Sequence, residues 1–330
     1  MSGGRRPLDE DDVRVRARGG SRPRTRIRPK HEDAREGFVT AVDRGRYRCL
    51  VEDRPVVAMK ARELGRGSIV VGDRVALVGD LSGRPDTLAR VVRVEERRSV
   101  LRRTADDTDP VERVIVANAD QLVIVAALAD PDPQPRFIDR CLVAAVDAGL
   151  DPLLCLTKAD LAGPDDLLRT YAGLDVPHVV TRRDQGLDAL SARLAGRTSV
   201  LIGFSGVGKS TLVNLLVPAA ARAVGDVNPV TGRGRHTSTS AVALPFEGGW
   251  IIDTPGVRSF GLAHISPDDV VAGFADLAEA VAACPPGCPH TAGAPGCGLD
   301  AGVADGVLAP DRVASLRRLL SSREPGDDRA

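Results

Sequence analysis

The sequence predicts an α/β protein, a doubly wound sheet with a small β-barrel before it and a short helical segment after it. Three observations carry this. From about Asp120, apolar runs of strand length alternate with stretches of helical spacing, as βα units require. Between Glu36 and about Arg98 there are instead five short apolar runs separated by Gly and Asp turns, the pattern of a small barrel. After Gly261, helix-start signals lead into a Gly/Pro-rich stretch holding three of the six cysteines. The expected divisions are 1–34, 35–102, 103–262 and 263–330.

Residues 1–34 contain few large apolar side chains and many arginines (Arg14, Arg16, Arg18, Arg22, Arg24, Arg26, Arg28). Such an arm cannot bury enough surface to fold alone, so a disordered basic arm is expected. It is either a contact for RNA phosphates or a solvated tail, and the two are compatible. The barrel strands are read at GFVTAV, YRCLVE, PVVAMKA, DRVALVGD and TLARVVRVEE, with turns at Val71-Gly72-Asp73 and Ser82-Gly83-Arg84. An OB-fold is the expected kind. Phe38 and Tyr47 are its only two aromatics, so shape and phosphate contacts would have to carry any RNA binding.

In the α/β region, LVIVAAL at 122–128 is a continuous apolar run, as expected of a parallel strand buried on both faces. FIDRCLVAAVDAGL (137–150), DDLLRTYAGL and LDALSARLAG read as helices; PLLCLTKAD, HVV and WIIDTPG read as strands with their exit loops. SVLIGFSGVGKSTLVNLLV reads as strand, glycine loop and helix. Ser266-Pro267-Asp268-Asp269 starts a helix running towards Ala283, with a capping Ser, Pro at the first position and acids in the first turn. A last amphipathic helix is expected near Pro310–Ser321.

Composition narrows the function. Apolar residues make up 43% and aromatics 3%, so the cores are built from Val, Leu, Ala and Ile. A formal net charge of zero excludes a globally basic nucleic-acid binder, though not a local basic patch. No apolar run reaches the roughly 18 residues of a membrane span, and MSGGRRPLDEDD carries no apolar signal segment. A cytoplasmic protein without a membrane partner is expected. In that reducing setting Cys49, Cys141 and Cys155 read as buried core thiols, whereas the crowded Cys284, Cys288 and Cys297, with His290, suggest a metal rather than disulfides.

The most specific motif is Gly203-Phe204-Ser205-Gly206-Val207-Gly208-Lys209-Ser210, with Thr211 next in the chain. It fits G-x-x-x-x-G-K-[ST] between an apolar strand and a helix, the context that gives the pattern its meaning. Glycines there let backbone N–H groups converge on phosphates at a helix N-terminus. Lys209 would neutralise the β- and γ-phosphates, and Ser210 would hold Mg²⁺. Downstream, Asp253-Thr254-Pro255-Gly256 ends the strand WII. Its carboxylate can reach Mg²⁺ through water, and the N–H of Gly256 can reach the γ-phosphate. Upstream, Thr157-Lys158-Ala159-Asp160 ends another apolar strand. A carboxylate at Asp160 accepts two hydrogens from the N1 and N2 edge of guanine, which adenine does not offer, so GTP is expected over ATP. The base loop therefore precedes the phosphate loop, the reverse of the usual order, which implies a circularly permuted GTPase domain.

That order, the barrel before it and the Cys/His segment after it resemble the ribosome small subunit-dependent GTPase A family, over nearly the whole chain from about Gly37 to Leu320. Gly232-Arg233-Gly234-Arg235-His236-Thr237 also resembles the family's switch I signature. The resemblance implies GTP hydrolysis to GDP, stimulated by the small ribosomal subunit and serving late maturation of that subunit, with rRNA as a contact. The chain departs from the family twice. Thr157 stands where the family usually has Asn, and the cluster spacing is C-x3-C-x-H-x6-C in place of C-x4-C-x-H-x5-C. Four such ligands still suit one tetrahedral structural Zn²⁺. Val257 occupies the place where many small GTPases carry a water-orienting Gln. His236 is the expected replacement as a catalytic residue, the alternative being an RNA contact alongside Arg233 and Arg235. Thr237, among the neighbouring Ser238 and Thr239, is expected to complete the Mg²⁺ shell. A monomer is the default expectation. The competing readings are an ATP-using P-loop enzyme and an RNA-binding assembly module holding nucleotide as a structural ligand.

Overall fold

The first five strands alternate buried and exposed residues, and their buried sets meet in one place. The computed structural model describes residues 31–64, 69–104, 111–183, 185–218, 241–254 and 261–323. Strands β1 (Arg35–Asp43), β2 (Arg46–Val51), β3 (Arg54–Lys60), β4 (Arg74–Gly79) and β5 (Ala89–Val94) close in the order β1-β2-β3-β5-β4-β1. Only the β3–β5 pair is parallel. This five-stranded closure leaves no free edge, and its interior holds Val39, Cys49, Val56, Ala58, Val75, Leu77 and Val91. Burial pushes the Cys49 thiol up to about 12, so it stays a neutral packing group.

Polar contacts at one turn fasten the barrel to the α/β region. Asp73, fully buried, accepts the N–H of Val70 at 2.8 Å and a two-pronged bond from Arg97 at 2.7 and 2.9 Å. Gly72 has φ +91°, and a Cβ there would lie 1.9 Å from the carbonyl of Ala117. No other residue type fits at that approach. Ala117 ends the hairpin of β6 (Val100–Arg103) and β7 (Arg113–Ala117), which the sequence pattern does not mark.

The central sheet runs β10-β9-β8-β11-β13-β12, built from β8 (Gln121–Ala127), β9 (Asp151–Thr157), β10 (His178–Val180), β11 (Thr198–Ile202), β12 (Val242–Phe246) and β13 (Gly249–Asp253). All neighbours are parallel except β12 with β13. All seven residues of β8 are buried. Leu122, Ile124 and Ala126 face a core shared with α1 (Pro135–Asp147), while Val123, Val125 and Ala127 face α3 (Leu187–Leu194) and α4 (Lys209–Leu216). This two-sided burial is why the strand reads as an unbroken apolar run. Helix α2 (Asp165–Tyr171) comes after β9. Burial likewise raises the Cys155 thiol on β9 to about 12. At its far edge β12 pairs with β1 (Ala41 opposite Val242), and Phe38 stacks on Trp250 at 4.6 Å. Barrel and sheet thus form one continuous surface of strands.

The C-terminal part consists of α5 (Pro267–Ala272), α6 (Ala278–Ala282), α7 (Gly298–Ala304) and α8 (Pro310–Ser322). Ser266 and Asp269 form a reciprocal capping box at the start of α5. The continuous helix expected from Ser266 towards Ala283 is interrupted, however. It stops at Ala272, makes a 3₁₀ turn at Ala275–Leu277 and restarts. Gly273 lies so close to α1 that a Cβ would sit 2.3 Å from Val146 Cγ1, and Phe274 is buried in the core. Tertiary packing here overrides helical spacing. No helix of the described residues is long and apolar enough to cross a membrane.

Candidate nucleotide and metal sites

Three strand ends, of β9, β11 and β13, deliver the nucleotide-site candidates to one edge of the sheet. Gly203 begins the loop after β11, and a Cβ on it would lie 2.6 Å from the carbonyl of Val125. The loop can therefore pass β8 only with glycine there. Gly206 and Gly208 take φ of +87° and +92°, the left-handed values that turn successive N–H groups to one side. Phe204 anchors the loop on α1, its ring 4.3 Å from that of Phe137. Val207 is buried, whereas Ser205, Ser210 and Thr211 are exposed.

Lys209 is buried and donates to the Asp253 carboxylate and to the Thr254 carbonyl. Thr254 in turn donates its hydroxyl to the carbonyl of Leu201 at 2.7 Å. The cation of the phosphate loop and the acid of β13 thus already meet across neighbouring strands. A phosphate bound by Lys209, or a cation bound by Asp253, would have to compete with this pairing.

The base-loop residues sit beside the same loop. Thr157 Oγ1 donates to the Val207 carbonyl at 2.6 Å. Lys158, with φ +60°, donates to the carbonyl of Asp130 in the loop after β8. Ala159 donates its N–H to the carbonyl of Thr181 at 3.2 Å, and Asp160 is exposed at the tip. Thr181 is a neighbour that sequence reasoning missed. It is buried and lies just after β10, but a three-residue strand leading to a Thr gives no pattern to recognise. His236, Thr237 and Gly256 lie outside the described residues, as do the rest of residues 232–239 and Val257.

Cys284, Cys288, His290 and Cys297 bring their ligand atoms within 4.8 Å of one another. Cys284 Sγ lies 3.6 Å from His290 Nδ1. That is the edge expected of a tetrahedron with metal bonds of about 2.0–2.3 Å. The Gly298 N–H points at Cys284 Sγ at 3.2 Å. Arg317 of α8 donates to the His290 carbonyl at 2.8 Å and to Asp300 at 2.7 Å. This bond holds the Asp300 carboxyl below the usual range. The altered spacing of the cluster therefore still closes around a point that could hold one metal ion, with its outer contacts in place.

The family model described as RsgA GTPase matches residues 94–263. The chain belongs to the RsgA GTPase family. It is a GTP-hydrolysing enzyme built on a circularly permuted GTPase domain, with an N-terminal barrel and a C-terminal Cys/His cluster. Among its relatives, a protein of Pseudomonas aeruginosa named "Small ribosomal subunit biogenesis GTPase RsgA" is 41% identical over 270 residues, 79% of this chain and 77% of the relative. The protein of the same name from Azotobacter vinelandii is 41% identical over 77% of this chain and 75% of its own. The crystal structure of YjeQ from Thermotoga maritima superposes with a TM-score of 0.64 at 27% identity, covering 88% of this chain and 98% of the other. The structure titled YloQ, a circularly permuted GTPase, shares the fold with a TM-score of 0.63 at 23% identity, over 89% and 96% of the two chains.

Proposed function

We propose that this family member acts in late maturation of the small ribosomal subunit, as a GTPase whose turnover that subunit stimulates and which contacts its rRNA. The observation that carries the reading is the 41% identity, over most of both chains, to relatives named for small-subunit biogenesis. In this reading the backbone of Gly203–Gly208 cradles the phosphates, Lys209 neutralises the β- and γ-phosphates, and Asp160 reads the guanine edge while Thr157, Lys158 and Ala159 shape the base pocket. Mg²⁺, where bound, spreads the charge developing on the phosphates. Ser210 and Thr237 would hold it, with Asp253 oriented towards it. Thr211 and Gly256 complete the phosphate contacts. His236 orients the attacking water, since Val257 has no hydrogen-bonding group. The Cys284–Cys288–His290–Cys297 set holds one structural Zn²⁺; with all four positions filled by protein it leaves no open site for catalysis. The protein works as a cytoplasmic monomer.

The test is GTP hydrolysis by the purified chain with and without purified small ribosomal subunits at matched Mg²⁺. Stimulation by the subunit, abolished by His236→Ala while GDP binding persists, is expected. Equal turnover with and without subunits would overturn the assignment of the activating partner.

A further inference from the structure

Residues 261–265 precede α5, and three parts of the molecule meet on them. From one side comes Thr104, the residue after β6, which is fully buried. It forms an antiparallel bridge with Gly261, its N–H donating to the Gly261 carbonyl at 3.1 Å. Its hydroxyl oxygen accepts the N–H of Ala263 at 3.4 Å. From α1, Asp147 faces His264 at 3.8 Å. From the end of α8, Arg323 donates to the Ile265 carbonyl at 2.8 Å. Leu262 and Ile265 are buried in the core. The chain before this stretch is fastened as well: Thr254 is buried, and its N–H and its hydroxyl both meet the Leu201 carbonyl, at 3.4 and 2.7 Å. Residues 255–260, which lie outside the described residues, thus start and end at fixed posts. The post at Thr104 is tied in turn to the barrel. Val116 of β7 bridges Val71, Ala117 donates its N–H to the Val71 carbonyl at 3.0 Å, and Asn118 donates to the Gly72 carbonyl at 2.9 Å.

We propose that Thr104 is a positioning residue for the terminal-phosphate contact: by fastening Gly261 and Ala263 it sets where the segment holding Gly256 re-enters the fold. The inference rests on the reading of Gly256 as a γ-phosphate contact. The groups assigned to the base and to the other phosphates stand elsewhere, on the loops after β9 and β11. Loosening the post at Thr104 leaves more chain freedom to be lost when the segment closes on a γ-phosphate. GDP offers no γ-phosphate, so its binding does not carry that cost. The hairpin of β6 and β7 makes the barrel turn at Val71-Gly72 part of the same anchor.

The experiment is titration of the full-length protein with GDP and with GTPγS, a slowly hydrolysed GTP analogue, at fixed Mg²⁺. Thr104→Val removes the hydroxyl at nearly constant shape and leaves the Ala263 N–H without its acceptor. It is expected to weaken GTPγS by roughly three- to tenfold, the effect of one neutral hydrogen bond, and to leave GDP at its wild-type affinity. Thr104→Ser keeps the hydroxyl and is expected to restore the GTPγS/GDP ratio. Gly256→Pro removes the N–H assigned to the γ-phosphate and is expected to lower the same ratio. Thermal unfolding of each variant without nucleotide separates loss of the tie from loss of the fold. The proposal is overturned if Thr104→Val weakens both nucleotides equally, if it weakens neither, or if Ser fails to rescue in a folded protein. A ratio that falls with Gly256→Pro but not with Thr104→Val overturns the role of Thr104 alone. A ratio unmoved by Gly256→Pro overturns the reading of the segment and the proposal with it.

Discussion

His264 shows what a single residue can do to the pH response of this molecule. It lies soon after the 255–260 segment, and its side chain is 4% exposed. Neither ring nitrogen has a hydrogen-bond partner among the described residues. Asp147 at the end of α1 is 3.8 Å away, and Glu112, Asp269 and the Arg102 guanidinium act on it from neighbouring elements. Burial lowers its pKa from about 6.5, with Asp147 opposing. A histidine whose folded pKa is depressed leaves the unfolded chain binding more protons as pH falls. Its contribution is therefore fully present above about pH 6.5 and is lost below it. The melting temperature is expected to fall between pH 7.5 and about 5.5, and His264→Asn to flatten that slope; an unchanged slope would exclude His264 as its source. At this same scale the motif residues were legible in sequence because backbone geometry demands glycine at fixed offsets, as at Gly203, Gly206 and Gly208. His264 and Thr181 were not, because nothing in their neighbours' identities marks a buried imidazole or a loop that arrives from another strand.

Among the elements, α8 illustrates how differently similar ion pairs count. Arg318 bonds both oxygens of Asp139 at 3.1 Å and lies 4.7 Å from the Tyr171 ring centroid. Asp139 is almost fully buried, and its pKa is raised because burial outweighs the attraction of Arg318. Arg318 makes both contacts through its one Nε–H, whereas Arg312 makes a two-pronged bond to Asp276, from Nε and Nη2 at 2.9 Å each, over Phe274, but Asp276 is half exposed. Removing Arg318 strands a buried carboxylate, so Arg318→Ala is expected to cost about 3–5 kcal/mol. Arg312→Ala is expected to cost about 1 kcal/mol or less through its ion pair. Urea unfolding of the two variants checks the order, and equal costs would refute it. Sequence spacing located α8 itself, since its apolar stripe repeats at helical period. It could not locate the pairings, which join residues far apart in the chain.

At the scale of the whole molecule, the C-terminal helices and the central sheet share one core. Val313, Leu316 and Leu319 of α8 pack in the same cluster as Ile138 and Leu142 of α1 and Leu299 of α7. Arg140 on α1 donates to the Ser322 carbonyl at 2.7 Å, and Arg323 donates to the Ile265 carbonyl. The Cys/His loop hangs on this core through Arg317. Removal of bound metal by a strong chelator, or Cys288→Ser, is expected to loosen residues 284–297 first. Hydrogen exchange should rise in that loop and at α7 while β8 and β11 stay protected. Uniform exchange throughout would instead mean that the metal supports the whole fold. The permuted order gives this arrangement its consequence: α5 is the next helix in the chain after the strand bearing Asp253, so the sequence runs from the candidate nucleotide site to the Cys/His loop.

Local geometry made much of this protein readable along the chain. The phosphate loop, the apolar strands, the capping box at Ser266 and the four ligand types at 284–297 arise from backbone and side-chain chemistry within a few neighbouring residues. The permuted order of motifs is likewise a linear fact. Which distant groups meet was settled instead by packing in three dimensions. Packing closed the barrel through β1 and β4, joined it to the sheet at β12, broke the helix at Gly273 against Val146, and brought Thr157 across β8 to Val207. Periodicity along a chain tells which face of an element is apolar, but it carries no record of which neighbour that face will find.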